Sequence, residues 1–184
     1  MLTNVKPSMN WTEFKVKSEE KFRIRELEDC WGFQIQPGTV WNVGLSKVEI
    51  ESLQKLFGFE FPCDFKNMLS IFNGLDQDEI AIDPDQKELH DFGRNMYKYP
   101  EDYQTTYDLR QEIEDHIKYV NEVLDEAGFD SNDVIGFIPL YGHRAMVAFT
   151  DKSLSPVISI HQGTDVIVYG NSLMDYWVKE LDLS

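Results

Sequence analysis

The sequence predicts a single α+β domain, a central antiparallel sheet packed by helices. Three observations carry that reading. Apolar residues recur at helical spacing through much of the first 130 positions. After residue 133 the period drops to two in four short runs. A last helical stripe closes the chain. Helices, then strands, then a helix is not the alternation that builds a parallel sheet. At 184 residues the chain has the length of one domain able to fold on its own core. It divides into an N-terminal helix and loop (1–40), a helix pair (41–74), an acidic segment with room for an inserted helix (75–133), and a strand meander with its closing helix (134–184).

Asn10-Trp11-Thr12-Glu13 reads as a capping box, with Asn10 as N-cap and Glu13 at N3. Trp11, Phe14, Ile24, Leu27 and Trp31 then form an imperfect helical stripe, partly irregular from Lys15 to Arg25, with Gly32 as its stop. Gln36-Pro37-Gly38 is a turn. The best-marked helix follows. Ser46 caps it, Glu49 is the N3 partner, and Leu45 with Ile50 makes a hydrophobic staple. Ile50, Leu53 and Phe57 line its inner face, and Gly58 supplies a left-handed stop. Pro62 suits the first turn of a third helix. Phe65, Met68, Leu69 and Phe72 form its stripe, and Asn73-Gly74 ends it.

Ile80 and Ile82 alternate as in a short strand, and His90 to Tyr103 reads as loop. A fourth helix starts at Thr106 or Asp108, carries Ile113, Ile117, Val120 and Leu124 inward, and closes at Gly128. The runs 134–140, 145–149, 157–160 and 165–169 are strands separated by turn residues. Their short links favour antiparallel neighbours, hence a meander. Ser172 caps the last helix, with Asp175 at N3 and Leu173, Trp177 and Leu181 facing inward.

The chain carries 17 basic and 33 acidic residues, a net charge of −16. Residues 74–131 hold 5 of the basic and 17 of the acidic groups, a local net of −12. A nucleic-acid binder needs a basic face, and anionic membrane repels this surface, so neither is an expected partner. No apolar run approaches a bilayer span, and Met1 to Lys15 lacks the apolar stretch of a secretory signal. Cys30 and Cys63 are expected as buried thiols in a reducing cytosol.

Chemical motifs are absent. There is no glycine-rich phosphate loop, no nucleophile elbow and no zinc helix. The four histidines share no ligand spacing. Asp76-Gln77-Asp78 begins like a calcium loop, but position six is not glycine and position twelve is Lys87. The expectation is no catalytic set, no metal and no cofactor. His143, Arg144 and His161 lie at strand ends, where with Tyr141 and Tyr169 they either build a pocket or are simply solvated.

The order Trp41-Asn-Val-Gly-Leu-Ser46, Val48 to Leu53, Leu56-Phe-Gly58, Phe61-Pro62, Asp64-Phe65, Leu69 and Phe72-Asn-Gly74 resembles the N-terminal signature of the SUKH superfamily. Phe137-Ile-Pro-Leu140, Pro156 to Ile160 and the helix from Ser172 to Leu181 are similar to its C-terminal part. The likeness covers 41–74 well and 134–181 in part. Residues 75–133 match nothing in it, so the helix near 108–127 reads as an insertion. The resemblance implies an α+β fold. It also implies a bacterial immunity protein of a polymorphic toxin system, cytoplasmic, that binds and neutralises a toxin domain. Fungal members are instead regulators of cell-wall synthesis, so a non-enzymatic scaffold is the alternative. A hydrolase using His143 or His161 is a third reading. The charge agrees with a basic, nuclease-type toxin as partner, occluded by carboxylates. The expected contact residues are Asp76, Asp78, Glu79, Asp83 and Asp85 on one acidic segment and Glu114, Asp115 and Glu122 on the other. Trp41, Tyr141, His143 and Tyr169 complete the set.

Overall fold

The computed structural model describes residues 9–91 and 93–183, so the first eight residues of the stretch without a signal lie outside it. The order is α1 (Trp11–Arg23), β1 (Trp41–Val43), α2 (Lys47–Phe57), α3 (Cys63–Ile71), β2 (Phe72–Leu75), β3 (Ile80–Ile82) and β4 (Leu89–Asp91). Then come α4 (Tyr107–Asp115), α5 (Ile117–Glu126), β5 (Val134–Tyr141), β6 (Arg144–Phe149), β7 (Val157–His161), β8 (Asp165–Gly170) and α6 (Leu173–Glu180).

Strands β5 to β8 form an antiparallel meander in chain order. Both its faces are apolar. Ile138, Leu140, Met146 and Val157 pack against residues of α1, α2, α3 and α6. Ala145, Val147, Phe149, Ile158, Ile160 and Val166 pack against Ile113, Val120 and Leu124 of α4 and α5. The sheet is thus the middle of three layers. Two ribbons, β1–β2 and β3–β4, extend the assembly.

The caps form where the spacing predicts, but at Asn10 only the side-chain half of the expected box is made, Glu13 pairing instead with Lys17. Asn10 accepts the Glu13 N–H at 3.0 Å. Ser46 and Glu49 make the reciprocal box, the Glu49 carboxylate accepting the Ser46 N–H at 2.7 Å. Gly58 adopts φ +83°. Ser172 accepts the Asp175 N–H at 3.2 Å.

Other expectations need correction. α1 is regular through Arg23, and its buried stripe is Trp11, Phe14, Ser18 and Phe22. Ile24 is its C-cap and exposed, and Trp31 is exposed beyond it. α3 stops at Ile71, and Phe72 opens β2, paired to β1 around Trp41, where the sequence showed no strand. Ala81, not Ile80 or Ile82, is the buried residue of β3. The single helix over 108–127 is two, broken at His116. Ile117 consequently turns outward. The His116 ring lies against Gly163, where a Cβ would come within 2.3 Å of it. The thiols are not buried: Cys30 is half-buried and Cys63 is exposed in the first turn of α3.

Ser46→Ala is expected to lower stability by about 1 kcal/mol through loss of the cap. Nothing lies within 4 Å of a Cβ at Gly58, so Gly58→Val meets only backbone strain. That strain costs roughly 1–2 kcal/mol for an L-residue, more again for a β-branched one. Urea melts of both variants check these values; two neutral variants would overturn the helix boundaries.

Candidate functional site

The β5–β6 and β7–β8 turns share one end of the meander, and the α4–α5 break packs against the second. The Gly163 N–H donates to Glu112 Oε1 at 2.9 Å, fixing that turn to α4. His143 and His161 bring their rings to 5.3 Å between centroids. Neither sequence distance nor spacing announces this pair; the antiparallel registers of β6 and β7 create it.

Arg144 organises the neighbourhood. Its guanidinium lies 3.1 Å from His143 Nε2, 3.0 Å from a Glu180 carboxylate oxygen, and 4.9 Å from the Tyr169 ring centroid. Guanidinium only donates, so His143 Nε2 must accept and the ring proton is assigned to Nδ1. Burial holds His143 below the usual histidine range, reinforced by Arg144 and His161, while Glu112 and Asp165 act the other way. Burial also raises the Glu180 carboxyl, against the pull of Arg144. Nothing in the sequence marks Glu180, one acid among 33.

The expected contact residues separate into two groups. Asp85, Glu114, Asp115 and Glu122 are exposed. Asp76 and Asp78 are also exposed, but Asp76 accepts the Val40 N–H at 2.9 Å and Asp78 faces Arg94 at 3.8 Å. Glu79 does not belong among surface acids. It is 1% exposed and accepts the Asn95 and Met96 N–H groups at 2.9 and 3.0 Å. Asp83 is buried too, accepting the Asp85 and Gln86 N–H groups of the hairpin turn. Both carboxylates satisfy backbone donors that no strand partner reaches.

Trp41 is corrected likewise. It is a core residue whose ring contacts Phe14, Phe22, Phe72 and Trp177 and whose indole N–H donates to Ser18 Oγ at 2.7 Å. Tyr141 is buried and stacks on Trp177. Only His143 and Tyr169 of this set are half-open to solvent.

A groove of about 930 Å³ runs between α1 and α3, lined by Trp11, Val16 and Ile71 among polar residues. Among the described residues no three His, Cys, Asp or Glu side chains gather to hold a metal. No described helix is long and apolar enough to cross a membrane.

Glu79→Gln puts an amide NH₂ against one of two buried N–H donors. A loss of about 1–3 kcal/mol is expected in urea melts, because a buried donor is left unsatisfied. A second expectation concerns pH. The unfolded His143 takes its proton near pH 6.5, and the folded one resists it. Stability therefore falls as pH drops below about 6.5, until the folded ring also protonates. Unfolding of the wild type and of His143→Gln between pH 8 and 5 checks this: the wild type should lose more, and parallel curves would refute it. The chain matches no family model, no curated protein and no solved structure.

Proposed function

We propose that this chain is an immunity protein that binds a basic, nuclease-type toxin domain and neutralises it by covering its cleft. The observation that carries the reading is the set of exposed carboxylates on the outer surface of α4 and α5. Glu114, Asp115 and Glu122 are exposed there, together with Asp125 and Glu126. The only exposed cation on these two helices is Lys118. Such a face attracts a basic protein over a distance set by ionic strength and repels nucleic acid. The folded 41–74 segment supports the family resemblance through a boxed helix, a left-handed Gly58 and a helix opened at Pro62, whereas Asn73-Gly74 lies within β2 and not in a turn. In this reading the protein acts in the bacterial cytoplasm, without cofactor and without a catalytic step. A regulator or scaffold of the same superfamily would use the same acidic face for a resident partner.

The test is co-expression with a basic toxin domain encoded beside the gene, and association kinetics with that domain. Glu114→Gln, Asp115→Asn and Glu122→Gln together keep side-chain size and leave the fold intact. The association rate is expected to fall and its salt dependence to flatten. His143→Ala with His161→Ala should still protect the host. Lost protection at unchanged affinity would point to enzymatic work and overturn the reading.

A further inference from the structure

The β3–β4 ribbon presents a second face, built differently from α4 and α5. Ile80 exchanges both backbone hydrogen bonds with Gln34, at 2.8 and 3.1 Å, and the Ile82 N–H donates to Cys30 at 3.0 Å. The next residue, Ala81, therefore faces β4, opposite His90. By the alternation of an antiparallel ladder, Leu89 and Asp91 turn their N–H and C=O groups outward. No described residue pairs with that edge.

The surroundings are apolar and acidic together. Leu89 is 66% exposed. Trp31 is 51% exposed and lies over His90 at 4.8 Å between centroids. The other three tryptophans are buried. Asp85 and Glu88 are exposed beside this edge, with no ion pair or side-chain hydrogen bond to their carboxylates from any other described residue. An exposed tryptophan and leucine rimmed by free carboxylates, along an open strand edge, have the composition of an interface centre. A second copy of a −16 chain is a poor occupant of an acidic edge.

We propose that the outer edge of β4 takes an extended basic segment of the partner protein as an added strand. Main-chain bonds would form at Leu89 and Asp91. Side chains of the added strand would alternate between the Leu89 face and the opposite face, where Trp31 lies on His90, and its lysines or arginines would meet Asp85 and Glu88. This deepens, and rests on, the reading of the chain as a binder of a basic toxin.

The probe is an acetylated, amidated heptapeptide alternating lysine and valine. Trp31 is the accessible tryptophan, so acrylamide quenching reports the site directly. The peptide is expected to shield Trp31, less so at high salt. Asp85→Lys with Glu88→Lys should weaken its affinity about tenfold. Glu114→Lys with Asp115→Lys, the same charge change on α4, should alter it less than about twofold. Leu89→Pro removes the outward N–H together with the exposed leucine side chain and should weaken binding as well. If the α4 pair matters as much as the hairpin pair, the added strand is refuted while the acidic-face reading stands. A Leu89→Pro variant that folds and binds normally refutes strand addition. A peptide that leaves Trp31 unshielded refutes this inference alone, because the toxin co-expression decides the broader reading.

Discussion

The meander must be covered on both sides, and most of the architecture follows from that. In β6 the residues from Ala145 to Phe149 are buried without a break, and β7 is buried from Val157 to Ile160. Side chains alternate between the faces, so both faces are apolar and neither tolerates water. One helical layer comes from α1, α2, α3 and α6. The other can come only from α4 and α5. The helical stretch that the resemblance left as an insertion is therefore half of the core's cover. Its acidic outer surface is the polar side of an amphipathic pair whose inner side is fixed by Ile113, Val120 and Leu124.

Where the local signal and the tertiary demand agreed, the sequence was easy to read. Ser46 with Glu49 and Ser172 with Asp175 cap their helices, because a hydroxyl three residues from an N–H donor has few better uses. The four strands of the meander were legible for the same reason, each an apolar run between turn residues. Phe72 was not legible. Its spacing after Phe65 and Leu69 fits a helix, but the backbone must leave the helix there to pair with Val43. Ile24 and Trp31 fitted a stripe that ends sooner, since nothing in the sequence marks Ile24 as a C-cap. The break at His116 lies against Gly163, from a strand turn 47 positions away, a contact that no local pattern carries.

The site was less legible than the fold, and the acids explain why. Charge counts cannot tell a carboxylate that meets water from one that holds the backbone. Glu79 and Asp83 sit in the same run as Asp78 and Asp85, yet the first two are structural. The chain turns from β3 to β4, and then runs on past β4, through segments whose N–H groups lack strand partners. A carboxylate is the acceptor that reaches them, at Asn95 and Met96 for Glu79 and at the turn for Asp83. Arg144 shows the complementary case. Its three neighbours come from the β5–β6 turn, β8 and α6, so only the folded chain assembles them.

The two acidic surfaces consequently differ in mechanics. α4 and α5 are locked by a core cluster, so their carboxylates stand on a rigid support suited to steering and orienting a partner. The β3–β4 ribbon is attached mainly by polar bonds, with Glu79 gripping the strap at Asn95 and Met96 and Gln34 gripping β3. A segment held by hydrogen bonds rather than by apolar burial lies at the low-stability end of a fold, where binding surfaces are commonly found. Buried Glu79 therefore bears on the proposed edge only through the backbone it holds. It touches no partner, but it fixes the backbone course that turns the edge of β4, and Trp31 with it, toward solvent.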